Sequence, residues 1–133
     1  MFESLFLKYP FFRYIPSILG MALLFKSSAT SGSDISFLVP PMDKILHGLA
    51  YACLGFSFSL WFKPDFWKNK TIKAFFFSVL FTAIYGISDE LHQSFVPGRD
   101  ASVGDFLADT VGGFAGTSVY FFILKKFYFR KNK

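Results

Sequence analysis

The sequence predicts an all-α polytopic membrane protein, with about four transmembrane helices in a bundle and both termini in the cytoplasm. Three observations lead there: an excess of apolar over charged residues, four apolar segments near bilayer length, and basic residues sorted to one side. The 133 residues are enough for one domain. Of these 53% are hydrophobic, 22% aromatic and only 17% charged, with 21 Phe. Water-soluble domains run at about 45–50% apolar and about 25% charged. A small soluble domain buries only part of its surface and cannot hide so much Phe. A bilayer accepts apolar side chains on the outside.

The apolar runs lie at 11–25, 45–62, 72–88 and 106–124. With their polar ends included, helices are expected at 9–26, 43–62, 71–93 and 103–125, in a single domain over 1–133. Crossing the hydrocarbon takes roughly 20 residues, within about 17–25. The first segment is marginal: it contains Pro16 and Gly20, and Arg13 is expected to snorkel to the interface. Residues 27–41 are rich in Ser and Gly, close with Pro40 and Pro41, and read as a loop. Residues 63–70 read as a short basic hairpin, with Trp61 and Trp67 at interfacial positions. Residues 95–101 carry the Pro97-Gly98 turn signal. Cys53 is the sole cysteine, which excludes an internal disulfide and a thiolate metal cage; in an apolar run it reads as a small packing residue. The N-terminus does not read as a signal peptide, because Glu3, Lys8, Pro10 and Arg13 break it.

The net charge of +5 taken alone suggests nucleic-acid binding. Its distribution argues otherwise. With cytoplasmic termini, Lys8, Arg13, Lys63, Lys68, Lys70, Lys73, Lys125, Lys126, Arg130, Lys131 and Lys133 fall inside, eleven of the fourteen basic residues. Only Lys26, Lys44 and Arg99 fall outside. This is the positive-inside pattern, and the basic face suits anionic lipid, not nucleic acid. Seven of the nine acidic residues go the other way: Asp34, Asp43, Asp89, Glu90, Asp100, Asp105 and Asp109. Topology does not demand that, so the asymmetry points to a site.

Three segments bring polar groups to that outer level. Asp43, His47 and Tyr51 are spaced i, i+4, i+8, on one helix face, and Lys44 lies beside them. Asp43, after two prolines, also reads as a helix N-cap. Residues 88–93 hold Asp89, Glu90, His92 and Gln93, with Asp89 and Gln93 sharing a face. Ser102-Val103-Gly104-Asp105 fits a capping box, and Asp105, Asp109, Gly112 and Gly116 run down one face. With a helix start near Val103, Asp109 lies about 9 Å below the first turn. A carboxylate at such depth normally faces the bundle interior and finds a partner. The candidates are Arg99, Lys44, His47, His92 and Tyr51. Gly112 to Gly116 is a GxxxG step, which reads as a packing face within the bundle. His47, His92, Asp89, Glu90 and Asp109 have metal-ligand chemistry, but no spacing matches a known cage, so no metal is assigned. No phosphate loop or nucleophile elbow is present.

These blocks resemble the VanZ-like family of small integral membrane proteins. Asp43-Lys44-Ile45-Leu46-His47 with Tyr51 and Gly55 is similar to its first signature. Residues 89–99, from Asp89-Glu90-Leu91-His92-Gln93 through Pro97-Gly98-Arg99, are similar to the second. Asp105, position 109, Gly112 and Gly116 are similar to the third. The resemblance spans about residues 43–117, in the family's order. It implies a bacterial cell-envelope protein of the inner membrane. The family's named member is linked to resistance to teicoplanin, a glycopeptide, without an assigned biochemical activity. One position departs: the family usually has Asn where this chain has Asp109. An Asp there must be protonated or paired with a cation such as Arg99 or Lys44.

Two functional classes follow, beside a purely structural role. In the first, Asp43, Lys44, His47, Tyr51, Asp89, Glu90, Gln93, Arg99, Asp105 and Asp109 bind an amphiphile, with Arg99 and Lys44 meeting an anionic headgroup. In the second, Asp89, Glu90 and Asp109 with His47 or His92 do acid–base work on a lipid or a lipid-linked envelope precursor. Membrane lipids are the expected partners in either case. The sequence assigns no cofactor and no oligomeric state.

Overall fold

The computed structural model describes residues 8–31 and 42–130. Asp34 and the prolines at 40 and 41 lie outside the described residues. A 3-10 turn, Pro10–Arg13, leads into α1 (Ile15–Ser28). Then come α2 (Met42–Ser59), α3 (Pro64–Asn69), α4 (Thr71–Gln93), α5 (Val103–Leu124) and a π-helical turn, Lys125–Phe129. Among the described residues there is no strand, so the fold is all-helical. Thr71–Gln93 and the continuous stretch Val103–Phe129 are long and apolar enough to cross a membrane.

Along α4 and the first two-thirds of α5 the burial pattern is inverted relative to a water-soluble fold. The buried positions of α4 are Ala74, Ser78, Thr82, Gly86, Asp89, Glu90 and Gln93, a stripe of small and polar residues. Its exposed positions include Ile72, Phe76, Ile84, Ile87 and Leu91. On α5, Asp105, Asp109, Gly112, Gly113, Gly116 and Thr117 are buried, while Leu107, Val111, Phe114, Val119 and Phe122 are exposed. An apolar exterior this extensive is costly in water and favourable in lipid. The buried hydroxyls satisfy themselves locally: Thr82 donates to the Ser78 carbonyl at 2.9 Å, and Ser78 to that of Ala74 at 2.9 Å. The chain is therefore a membrane protein whose helices meet through small residues.

The broadest helix contact is between α2 and α5. It is backbone against backbone. A Cβ on Gly112 would overlap the Gly48 carbonyl, one on Gly116 that of Ala52, and one on Gly55 that of Gly113. Gly48, Ala52 and Gly55 thus form a small-residue stripe facing the GxxxG step, which is used within the chain. Thr117 Oγ1 adds a bond across the interface to the Gly55 carbonyl, at 3.4 Å.

Helix α1 is attached differently, by polar pins along its length. Trp61 Nε1 donates to Ser17 Oγ at 2.8 Å, and the Tyr85 hydroxyl to the Met21 carbonyl at 2.6 Å. Ser28 Oγ lies 3.3 Å from His92 Nδ1, and Ser31 Oγ donates to the Pro97 carbonyl at 3.3 Å.

Several local expectations need correction. Arg13 does not snorkel; it is buried in the 3-10 turn. Residues 63–70 contain helix α3, opened by Pro64, whose fixed φ suits a first helical turn. Trp67 is fully buried there: its Nε1 donates to the Ser59 carbonyl at 3.0 Å and its ring packs 5.5 Å from that of Tyr120. Cys53 is exposed on the outside of the helices and packs no core. Ser27 and Ser28, assigned to a loop, still belong to α1.

The α2–α5 contact generates a testable contrast. Gly116→Ala places a methyl inside the Ala52 carbonyl and should lower stability by about 1–3 kcal/mol or more. Gly20→Ala, whose methyl would sit 3.4 Å from the mobile end of Leu54, should be neutral or mildly stabilising. Thermal unfolding of both variants in detergent checks this; equal losses would refute the close-contact account.

Candidate functional site

The end of the molecule that holds the start of α2, the end of α4 and the start of α5 collects the carboxylates. The α2–α5 contact sets their register. Two side-chain pairs bridge these helices one turn apart. Lys44 Nζ donates to Asp105 Oδ1 at 2.6 Å. His47 Nδ1 lies 3.0 Å from Asp109 Oδ1. The other ring nitrogen of His47, Nε2, faces Asp43 Oδ1 at 3.9 Å. The Asp43, His47, Tyr51 face therefore exists as its spacing implies, with the His47 and Tyr51 rings nearly parallel and 6.5 Å apart. Asp109 is completely buried, and its partner is His47, not Arg99 or Lys44.

The capping box is only half formed, for a reason. Ser102 Oγ accepts from the Asp105 N–H at 3.4 Å, as a cap should. The return bond is missing because Asp105 is turned to Lys44. The Ser102 N–H is taken instead by Glu90 Oε2 of α4, at 2.7 Å. A cap within one helix has become a tie between two. Asp43 is also not an N-cap: α2 has begun by Met42, so Asp43 stands in the first turn, where a carboxylate complements the helix dipole.

On α4, Gln93 Nε2 donates to Asp89 Oδ2 at 3.1 Å. His92 is not in the cluster. Its ring stacks on Phe25 at 4.4 Å and meets Ser28, so it serves the seam with α1. Neighbouring helix positions are rotated by about 100°, which separates His92 from the buried Gln93. Arg99 is delivered by a turn. Its N–H donates to the Val96 carbonyl at 3.1 Å, across Pro97 and Gly98, and Gly98 has φ 74°. Pro at the second and a positive-φ Gly at the third position are the requirements of a type II turn.

Between α1, α2, α4 and this turn lies a half-open cavity of about 300 Å³. Its polar lining comes from Asp43, His47, Asp89, Gln93, Arg99 and the two serines that end α1; Leu24, Leu46 and Ala50 form its apolar wall. Lys44 and Asp105 stand apart from it as a pair. Tyr51 Oη, Asp89 Oδ1, Glu90 Oε1, Arg99 Nε and Asp109 Oδ2 are buried without a hydrogen-bond partner among the described residues. Such groups are rare and call for an occupant or a counter-charge. The reading of the sequence missed Ser27, Ser28 and Leu24, because the wall that α1 contributes has no signature of its own. It also missed the Gly48, Ala52, Gly55 stripe, which small-residue spacing on α2 carries.

No curated protein and no solved structure matches the chain. A model of the family described as VanZ/LLP1 matches residues 4–125, nearly the whole chain and all three polar segments of the site. The protein belongs to the VanZ/LLP1 family.

Proposed function

We propose that this VanZ/LLP1-family protein is a multi-pass protein of the bacterial inner (cytoplasmic) membrane that binds an anionic amphiphile at its outer face. The observation that carries this reading is the cavity beside α1. It combines a buried guanidinium nitrogen of Arg99, without a partner among the described residues, with an apolar wall of Leu24, Leu46 and Ala50. A headgroup bearing phosphate or carboxylate suits the guanidinium, which binds such groups through two parallel hydrogen bonds. The acyl portion would leave along the apolar wall toward lipid. Asp89 and Asp43 line the same cavity and hold a cationic or hydroxyl-rich part of the ligand. Lipid-linked envelope precursors have this chemistry, and altered handling of them would be the route to glycopeptide resistance of the teicoplanin type.

The orientation follows from charge. The eleven basic residues named above mark the cytoplasmic side, which puts both termini inside and the acidic end outside. Four crossings fit: α4 and α5 are long enough, and the 18 residues of α2 span about 27 Å. The 14 residues of α1 reach about 21 Å and need the preceding 3-10 turn to complete a passage.

A second reading, a membrane enzyme, is favoured by one specific contact. His47 between Asp109 and Asp43 can accept and return a proton at a buried site. In that case His47→Gln abolishes the envelope phenotype outright in folded protein, whereas a binding role weakens it by degrees.

Lipids extracted from the purified protein test the main reading. The wild type should retain an anionic amphiphile, and Arg99→Ala should hold about tenfold less or lower, the loss of one charged hydrogen bond. Identical lipid content in both sinks the proposal. For orientation, a fluorescent protein fused after Lys133 should fluoresce, and an exported phosphatase fused there should be inactive. The opposite pair of results would invert the topology.

A further inference from the structure

Behind the cavity, where α2, α4 and α5 meet, lies a second constellation. We propose that His47, Glu90 and Asp109 form a binding site for one divalent metal cation of the borderline class, Mn2+ or Zn2+. One ligand atom from each of the three lies within 4.8 Å of the others. Ligands around such an ion sit about 2.0–2.2 Å from it and hence roughly 3–3.5 Å apart. Small side-chain rotations close the difference.

The orientation of each group supports a ligand role. Glu90 is held by one oxygen, Oε2 on the Ser102 N–H, and its other oxygen is buried and unpartnered. Asp109 is held by Oδ1 against His47, and its Oδ2 is likewise buried and unpartnered. Asp109 is 0% and Glu90 8% exposed. Each carboxylate is thus fixed by one atom and offers the other. His47 turns Nδ1 toward this centre and Nε2 toward Asp43. At 3.9 Å Asp43 does not hydrogen-bond Nε2, but it stands beside it, where a carboxylate can orient a metal-bound imidazole and strengthen it as a ligand.

Charge points the same way. Asp43, Asp89, Glu90, Asp105 and Asp109 gather around Lys44, Arg99 and His47, and Lys44 is already committed to Asp105. Two buried carboxylates beside a single imidazole are costly in a membrane interior. A dication removes that cost directly. Two oxygens and one nitrogen suit Mn2+ or Zn2+ better than a purely oxygen-seeking ion or a thiolate-seeking one. The site adjoins the cavity through His47, which lines both, while Glu90 and Asp109 do not line the cavity.

The test is calorimetric titration of the detergent-purified, chelator-stripped chain with Mn2+ and, separately, Zn2+. The expected result is one ion bound per chain with at least one of them, and a raised melting temperature. Glu90→Gln and Asp109→Asn should each weaken binding by at least about tenfold. Asp43→Asn, which removes no ligand and sits in a half-exposed first turn, should weaken it by about 10–100-fold. His92→Gln should bind as wild type. Asp43→Asn also decides the matter if the buried variants do not fold. The proposal is overturned if neither ion binds the wild type stoichiometrically, if Glu90→Gln or Asp43→Asn binds undiminished, or if His92→Gln loses the ion equally.

Discussion

The backbone contact between α2 and α5 is the constraint on which the rest of the structure depends. Lipid outside the helices is as apolar as the side chains, so burial alone does not pull helices together. Close approach must come from the absence of side chains. Gly112 and Gly116 lie against Gly48 and Ala52 with no room for a methyl between them. This distance has a second consequence. With the axes so near, side chains one or two turns up the same seam reach across, and His47 meets Asp109 while Lys44 meets Asp105. Packing residues at the middle of the helices and polar residues at their end are one device.

The polar end is built from exchanged partners. The N-terminal turn of α5 needs acceptors for its free N–H groups. Ser102 supplies one, and Glu90 on α4 supplies another by taking the Ser102 N–H. Asp105 is released by that exchange and neutralises Lys44. Three helices are thereby locked at one level without any long side chain spanning empty space. The same exchange leaves one oxygen on Glu90 and one on Asp109 without a hydrogen-bond partner among the described residues.

Helix α1 stands in a different relation to the others. Its Met21 and Leu24 pack on the Tyr51, Leu54, Phe58 cluster of α2, and hydrogen bonds with Trp61 after α2 and with Tyr85 and His92 of α4 are spaced along its length. Single polar pins of this kind contribute on the order of 1 kcal/mol each. That is modest beside the α2–α5 seam. The cavity lies at this weaker boundary, with the last turn of α1 as one wall.

The sequence by itself determined the membrane character, the all-helical class and the polar segments, because composition and spacing report each residue's solvent and helix face. The Pro97-Gly98 turn was equally legible, since the φ of 74° at Gly98 is a local demand that the residue type announces. What only the tertiary structure decided is which faces meet. Spacing put Asp43, His47 and Tyr51 on one side of a helix, but the choice of Asp109 as partner of His47 depends on the relative slide of α2 and α5. That slide is set within one or two turns of the pair, by Gly48, Gly112 and Gly116. For the same reason His92 reads as part of the acidic segment, yet it turns to Phe25 and Ser28 on α1. Arg13 and Trp67 were placed at the interface by residue type and are buried, because neighbouring helices cover them. A linear pattern specifies the face of a helix. Only the contact between helices specifies what that face meets.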